Sequence, residues 1–217
     1  MSDLAAVRPL RPADAGRVAE LHLLAFPDYE SSRLGRGYCR RLVLAYADRP
    51  DAWVLVAGRG EAIDGFLVGA PPSAQREVNA ALLVPWGLLG ALRSPARLWG
   101  RVGPAWSRLR RGRRPTPPAA APATDAPASP ASEPATVRVV LVGVDPLARG
   151  RRVGDALLAA FAERARAAGH RRADLSVATG NGAARRLYAR NGWREVGEEG
   201  DGVAVRCALD LTEAPSA

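Results

Sequence analysis

The chain of 217 residues is 47% hydrophobic and 24% charged, enough apolar material for one well-packed domain and too much for a disordered polymer. Its formal net charge of +9 rests on arginine, since the sequence holds no lysine, so phosphates, nucleic acid or anionic lipid are expected partners only where arginines cluster. No run approaches the roughly 18 apolar residues of a membrane span, no signal-peptide core opens the chain, and Cys39 and Cys207 sit far apart inside apolar patterns, so a soluble, cytoplasmic protein with reduced core thiols is expected.

Val7–Leu10 (VRPL) reads as a short strand stopped by Pro12. Asp14 stands where a cap would for a helix with Val18, Leu21 and Ala25 on one side, ended by Phe26-Pro27. The spacing of Leu34, Tyr38, Leu42 and Ala45 predicts a second amphipathic helix over Ser32–Tyr46. Trp53–Ala57 and Ile63–Gly69 read as strands around a GRGE turn. Residues 76–111 mix Leu and Trp with interspersed arginines, and helices broken near Pro95 and Pro104 are expected there. The Pro/Ala/Ser tract 116–135 has almost nothing to bury and reads as an extended or flexible linker. The expectation is a single domain over 1–217, carrying a helical insert at 71–111 and a flexible linker at 112–136.

Order returns with Val137–Val144, a strongly apolar strand suited to burial on both faces and closed by Asp145-Pro146. A helix is predicted over Val153–Ala168, with Val153, Ala156, Leu157, Ala160 and Phe161 on one face and Gly169 as its stop. Asp174–Ala178 is a strand, Ala183–Arg190 a helix stopped by Asn191-Gly192, and Trp193–Glu198 with Val203–Leu211 a closing hairpin. The sum is a mixed α/β fold with a sheet of six to seven strands.

Two segments carry chemistry. In Arg149–Gly154 (RGRRVG) a buried strand leads through a Gly/Arg loop into a helix start, where free N–H groups and the helix dipole favour an anion. The arginines add fork-shaped donors. The run has neither the Gly-Lys-Ser/Thr of a Walker A loop nor a dinucleotide glycine triplet, and a solvated basic loop is its bland reading. In Asn181–Trp193 (NGAARRLYARNGW), Asn181 takes the cap place and Ala184, Leu187 and Tyr188 share one helix face. Alone, Tyr188 reads as a core aromatic with its hydroxyl at the edge.

Together, in the order strand, RGRRVG, helix, strand, NxxAxxLYxxxGW, strand, these segments resemble the GNAT superfamily of N-acetyltransferases. The RPLRPAD and LHLLAFP segments are similar to that family's first strand and helix. The resemblance covers about residues 7–70 and 137–211 and leaves out the insert. It implies helices on both sheet faces and acetyl-CoA as co-substrate, held where the parallel strands Val137–Val144 and Asp174–Ala178 splay apart. The main chain of Val142 and Val144 would hold the thioester carbonyl and the pantetheine amides. Arg149 takes the motif's opening place, and Gly150, Arg151, Arg152, Val153 and Gly154 would wrap the pyrophosphate with their amides. Asn181 would reach the pantetheine arm, and Tyr188 would protonate the departing CoA thiolate. Phe26, Tyr29 and Leu34, in the loop Phe26–Gly35, would contact the acceptor. Arg152 departs from the pattern, which usually has glycine there; a strained φ would weaken binding, and its side chain could instead reach the adenosine 3′-phosphate.

These roles make chemical sense. A preorganised backbone N–H lowers the barrier to amine attack on a thioester, and a tyrosine of ordinary pKa about 10 is a sensible acid for a thiolate. No metal is expected, and neither cysteine stands where a nucleophile would. The general base is unassigned: the strand Val137–Val144 holds no carboxylate, and Glu133, Asp28, Glu30, His22 or a water chain are the candidates. The acceptor is expected to be a small-molecule or peptide amine. A membrane-surface contact, less favoured, and a homodimer are left open for the insert. Two other readings stand beside the enzyme: a catalytically idle acyl-CoA sensor, and, ranked last for want of a stacking platform or helix-turn-helix, a basic nucleic-acid-binding protein.

Overall fold

The computed structural model describes residues 5–93 and 136–212. Its strands are β1 (Ala6–Pro9), β2 (Trp53–Gly58), β3 (Gly65–Ala70), β4 (Thr136–Val144), β5 (Arg172–Ala178), β6 (Arg194–Glu199) and β7 (Ala204–Asp210). The helices are α1 (Ala15–Ala25), α2 (Glu30–Arg33), α3 (Arg36–Ala47), α4 (Pro72–Arg93), α5 (Val153–Ala167) and α6 (Gly182–Arg190). All seven strands join one sheet in the order β1-β2-β3-β4-β5-β7-β6, and β4 with β5 is its parallel pair.

Period-2 alternation sends side chains to two separate apolar layers. On one face Leu55, Leu67, Leu157, Phe161 and Leu175 form a cluster under α5 and α6. On the other, Val18, Leu42 and Tyr46 of α1 and α3 cover Val54, Val56, Phe66 and Val68. Consecutive residues of β2 and β3 feed opposite layers, which is why both read as unbroken apolar runs. Burying side chains such as Phe66 and Phe161 contributes about 1.5–3 kcal/mol each.

Several sequence expectations change. Asp14 does not cap α1: its carboxylate takes the Arg8 guanidinium at 2.6 and 3.1 Å and the Arg11 N–H at 2.7 Å, because a bidentate pair with a guanidinium is stronger than a single bond to a backbone N–H. The helix expected over Ser32–Tyr46 is two helices, split at Gly35, whose φ of 89° leaves the helical region. Residues 72–93 form one helix, with Ala74 and Val78 buried on the α1/α3 side; the breaks expected near Pro95 and Pro104, and the linker up to residue 135, lie outside the described residues. Thr136, the last residue assigned to that linker, already belongs to β4. β4 is not buried on both faces along its length but alternates between buried and half-buried, since its outer stretch borders a gap. Cys39 and Cys207 are free and buried. Among the described residues no helix is long and apolar enough to cross a membrane, and no three His, Cys, Asp or Glu side chains group to hold a metal.

Candidate active site

The parallel pair of β4 and β5 holds only three rungs, Thr136 with Arg172, Val137 with Ala173 and Arg138 with Asp174. Beyond them β4 continues six residues on β3 and β5 four residues on β7, so their facing edges diverge and carry backbone groups with no strand partner among the described residues. The parting coincides with a bulge in β4. Leu141 pairs with Val68 but Val139 with Gly69, leaving Val140 as the extra residue. The bulge reverses the alternation: Val137 and Val139 pack under α5, then Leu141 crosses to the other layer and Val142 and Val144 return to the α5 side. Val142 and Val144 therefore border the gap beyond the bulge. At its closed end the Arg138 guanidinium grips the Asp174 carboxylate at 2.8 and 3.0 Å, a bidentate pair across the last rung. No local motif announces this pair; only the register brings the two residues together.

At the open end β4 runs into the arginine-rich loop. Asp145 is anchored by the Leu147 N–H at 2.9 Å and by Arg17 of α1. The Leu147 N–H, with Arg17 and Arg149 adding to it, outweighs burial and holds the Asp145 carboxyl below the usual range. The loop's amides divide into two sets. Arg149 N–H bonds Pro146 O and Arg151 N–H bonds Ala148 O, whereas among the described residues the N–H groups of Gly150, Arg152, Val153 and Gly154 meet no backbone carbonyl. The Arg151 amide is thus turned inward, away from the wrapping role the resemblance implies. Arg149, Arg151 and Arg152 are exposed, with no carboxylate at ion-pair distance among the described residues. Arg152 adopts φ 57° and ψ 20°, the left-handed conformation that costs a non-glycine residue about 1–2 kcal/mol. The donor set, four amides at a helix N-terminus and three exposed guanidinium groups that meet no partner among the described residues, fits a polyphosphate such as the CoA pyrophosphate.

Gly154 has a second duty. A Cβ there would stand 2.9 Å from a Leu187 methyl, so its hydrogen lets α6 close on α5. The same seam is fastened by Asp155, which accepts from Arg190 at 2.6 and 2.9 Å and from Asn191 at 2.9 Å. The Asn181 side chain caps α6 by accepting from the Ala184 N–H at 3.1 Å, so its oxygen is engaged and only its amide NH2 points elsewhere.

The seam sets Tyr188, which is 6% exposed and tilted against Trp193 at 6.1 Å. Burial first, then Cys207 and Tyr29, push its phenol above the usual range, so it carries its proton. Tyr29 is 48% exposed and tilted against Phe26 at 4.8 Å, while Phe26 and Leu34 lean on the α1/α3 layer. The loop is pinned through Ser31, whose hydroxyl meets His22 Nε2 at 2.8 Å and whose carbonyl accepts from the Cys39 thiol at 3.3 Å. His22 is fully buried and engaged there, with its pKa lowered to about 4 by burial, which removes it from the candidate bases. Glu133 lies outside the described residues.

The model of the acetyltransferase (GNAT) family matches residues 120–193, from before β4 through α6. A solved acetyltransferase structure superposes with a TM-score of 0.59 at 21% identity, over 95% of this chain and 99% of that one. The fold is that of the GNAT acetyltransferases. Two further GNAT-like structures make the same point. One is the ribosomal-protein-S18-alanine N-acetyltransferase of Escherichia coli, with a TM-score of 0.55 at 13% identity over 97% of this chain and 96% of that one. The other is a putative acetyltransferase, yncA, of Salmonella typhimurium solved with acetyl-CoA, with a TM-score of 0.55 at 16% identity over 98% and 97%. No functionally curated relative matches the sequence. The GNAT family match spans the gap, the arginine loop and the Tyr188 helix.

Proposed function

We propose that this protein transfers an acetyl group from acetyl-CoA to an amine by direct attack, with no covalent enzyme intermediate. The observation that carries the reading is the three-rung parallel pair whose strands part at a bulge, with β4 then running into a loop of amides and arginines that meet no partner among the described residues. Acetyl-CoA supplies an activated thioester when bound. The free N–H groups of Gly150, Arg152, Val153 and Gly154 hold its pyrophosphate, with the arginines around them adding charge. Backbone groups along β4 near Val142 and Val144 hold the thioester oxygen and the pantetheine amides, and an N–H fixed there meets negative charge with no reorganisation cost. The Asn181 amide NH2 is the group left to reach the pantetheine arm.

Tyr188 is the general acid. Its phenol stays protonated across the physiological range, so it has a proton to give the departing thiolate. The acceptor enters on the α1 side, beside Phe26 and Tyr29. Titration calorimetry with acetyl-CoA tests the core of this reading: binding in the micromolar range is expected, and its absence sinks it. Tyr188→Phe should lower kcat roughly 10²-fold or more with the acetyl-CoA Kd nearly unchanged. An unaltered kcat removes Tyr188 from the mechanism. Binding without CoA release across an amine panel would favour the sensor reading instead.

A further inference from the structure

On the sheet face opposite α5 and α6, the half built of β5, β7 and β6 carries a polar row. Ser176 of β5 stands directly opposite Arg206 of β7 in the antiparallel register, and opposed residues project to the same side. Their neighbours Leu175, Val177, Val205 and Cys207 all lie in the layer under α5 and α6, so Ser176 and Arg206 face the other way. Glu199, at the end of β6, bridges them. Its Oε2 accepts from the Ser176 hydroxyl at 2.6 Å and its Oε1 from Arg206 Nε at 2.5 Å. The apolar layer under α1 and α3 reaches β4 at Val140 and Leu141 and contains no residue of β5, β6 or β7 among those described.

The position of Ser176 relative to the gap matters most. It lies two residues past Asp174, the last rung, on the stretch of β5 whose inner edge has left β4. It is on the same face as the acceptor loop, away from the arginine loop at the N-terminus of α5. Its only proton is given to Glu199, so toward any further partner its oxygen presents lone pairs alone. Such a hydroxyl receives an N–H donor and gains nothing from a carbonyl or phosphate. Glu199 stays anionic beside it. Burial opposes its charge, but the Ser176 hydroxyl, Arg206 and Arg138 together hold the carboxyl below the usual range. Arg206, 44% exposed, is in direct contact with Glu199, which is 20% exposed, and offsets part of its charge.

The geometry points to an amine subsite in which Ser176 Oγ accepts a hydrogen bond from the acceptor's N–H, with Glu199 as the positioning residue that aims the hydroxyl and supplies negative charge. This inference rests on the acyl-CoA reading and narrows its acceptor to amines that arrive carrying N–H donors and a positive charge. None of the three residues forms a sequence motif. They are separated by 23 and 7 positions and meet only through strand register.

The experiment compares two stable thioethers, S-ethyl-CoA and S-(2-aminoethyl)-CoA, whose ammonium group stands where an attacking nitrogen would. Calorimetry on the full chain should show the amino compound bound at least about tenfold more tightly, as a charge-assisted hydrogen bond predicts. Ser176→Ala and Glu199→Gln should each abolish that preference while leaving the S-ethyl-CoA Kd within about twofold, and Ser176→Thr, which keeps the hydroxyl, should retain it. No preference in the wild-type chain overturns the subsite. So does a preference that persists in either variant, or an equal loss of both thioethers. If the wild-type chain binds neither thioether nor acetyl-CoA, the acyl-CoA reading itself has failed.

Discussion

The half of the sheet from β1 to β4 and the half from β5 to β6 are built on different rules. In the first, helices pack both faces, and β2 and β3 are buried nearly throughout. In the second, α5 and α6 cover one face, while the other shows Glu199 accepting from both Ser176 and Arg206, and Asp174 paired separately with Arg138 of β4. A sheet that is apolar on both sides is a support, and a sheet that is apolar on one side has a face left for a ligand. The join between them is the three-rung ladder and the Arg138–Asp174 pair, so the candidate site lies on the seam between the two kinds of construction.

That contrast can be broken from the covered side first. Phe66→Ala, which empties a fully buried position in the α1/α3 layer, should cost about 3–5 kcal/mol in a urea titration. A loss under about 1 kcal/mol would mean the layer is not the rigid support described. Next comes His22, in the same layer, whose pKa falls from the ordinary 6.5 to about 4 by burial. Between those values the unfolded chain binds a proton that the native chain refuses, so stability falls as pH drops from about 6.5 toward 4 and levels off below. The decline should be on the order of 2–3 kcal/mol, and His22→Gln should flatten it in melting curves taken across that range. The same slope in the variant would clear His22.

Across the join, Asp174→Asn should cost roughly 1–3 kcal/mol, because it leaves a half-buried Arg138 with a neutral partner. Combining Arg138→Asp with Asp174→Arg should restore part of the loss, and a double variant worse than either single one would deny the pair its role as the join. The smallest effect is expected at the arginine loop. Arg152→Gly relieves the left-handed strain of about 1–2 kcal/mol at an entropic cost of about 0.5–1 kcal/mol, for a net gain of at most about 1.5 kcal/mol in thermal unfolding. If acetyl-CoA then binds more tightly, the backbone at residue 152 is the ligand; if it binds more loosely, the side chain is.

Much of this architecture is legible in local pattern. The apolar runs of β2 and β3, the amphipathic face of α5 and the stop at Gly169 each follow from neighbours a few residues apart, and so does the loop between β4 and α5. The arginine loop and the Tyr188 helix are continuous stretches with recognisable order. What sequence reading missed depends on register. The bulge at Val140 leaves no mark in VRVVLVGV, since every residue nearby is apolar. Asp14 satisfies the pattern of a cap, and only the tertiary approach of Arg8 draws its carboxylate away. Gly154 reads as a loop glycine, yet Leu187, 33 positions later, explains its missing Cβ. Ser176, Arg206 and Glu199 follow the same logic, because long-range pairing leaves no local signature.

The short ladder also governs how quickly the molecule's amides trade protons with solvent. Central strands of a sheet are ordinarily its slowest-exchanging part, with protection fading toward the edges. Here the facing edges of β4 beyond Arg138 and β5 beyond Asp174 lie in the middle of seven strands yet have no strand partner among the described residues. Deuterium should therefore enter at the heart of the sheet as readily as at its rim, while β2 and β3 beside it stay protected. A bound ligand that hydrogen-bonds along those edges would close the isotopic window from within.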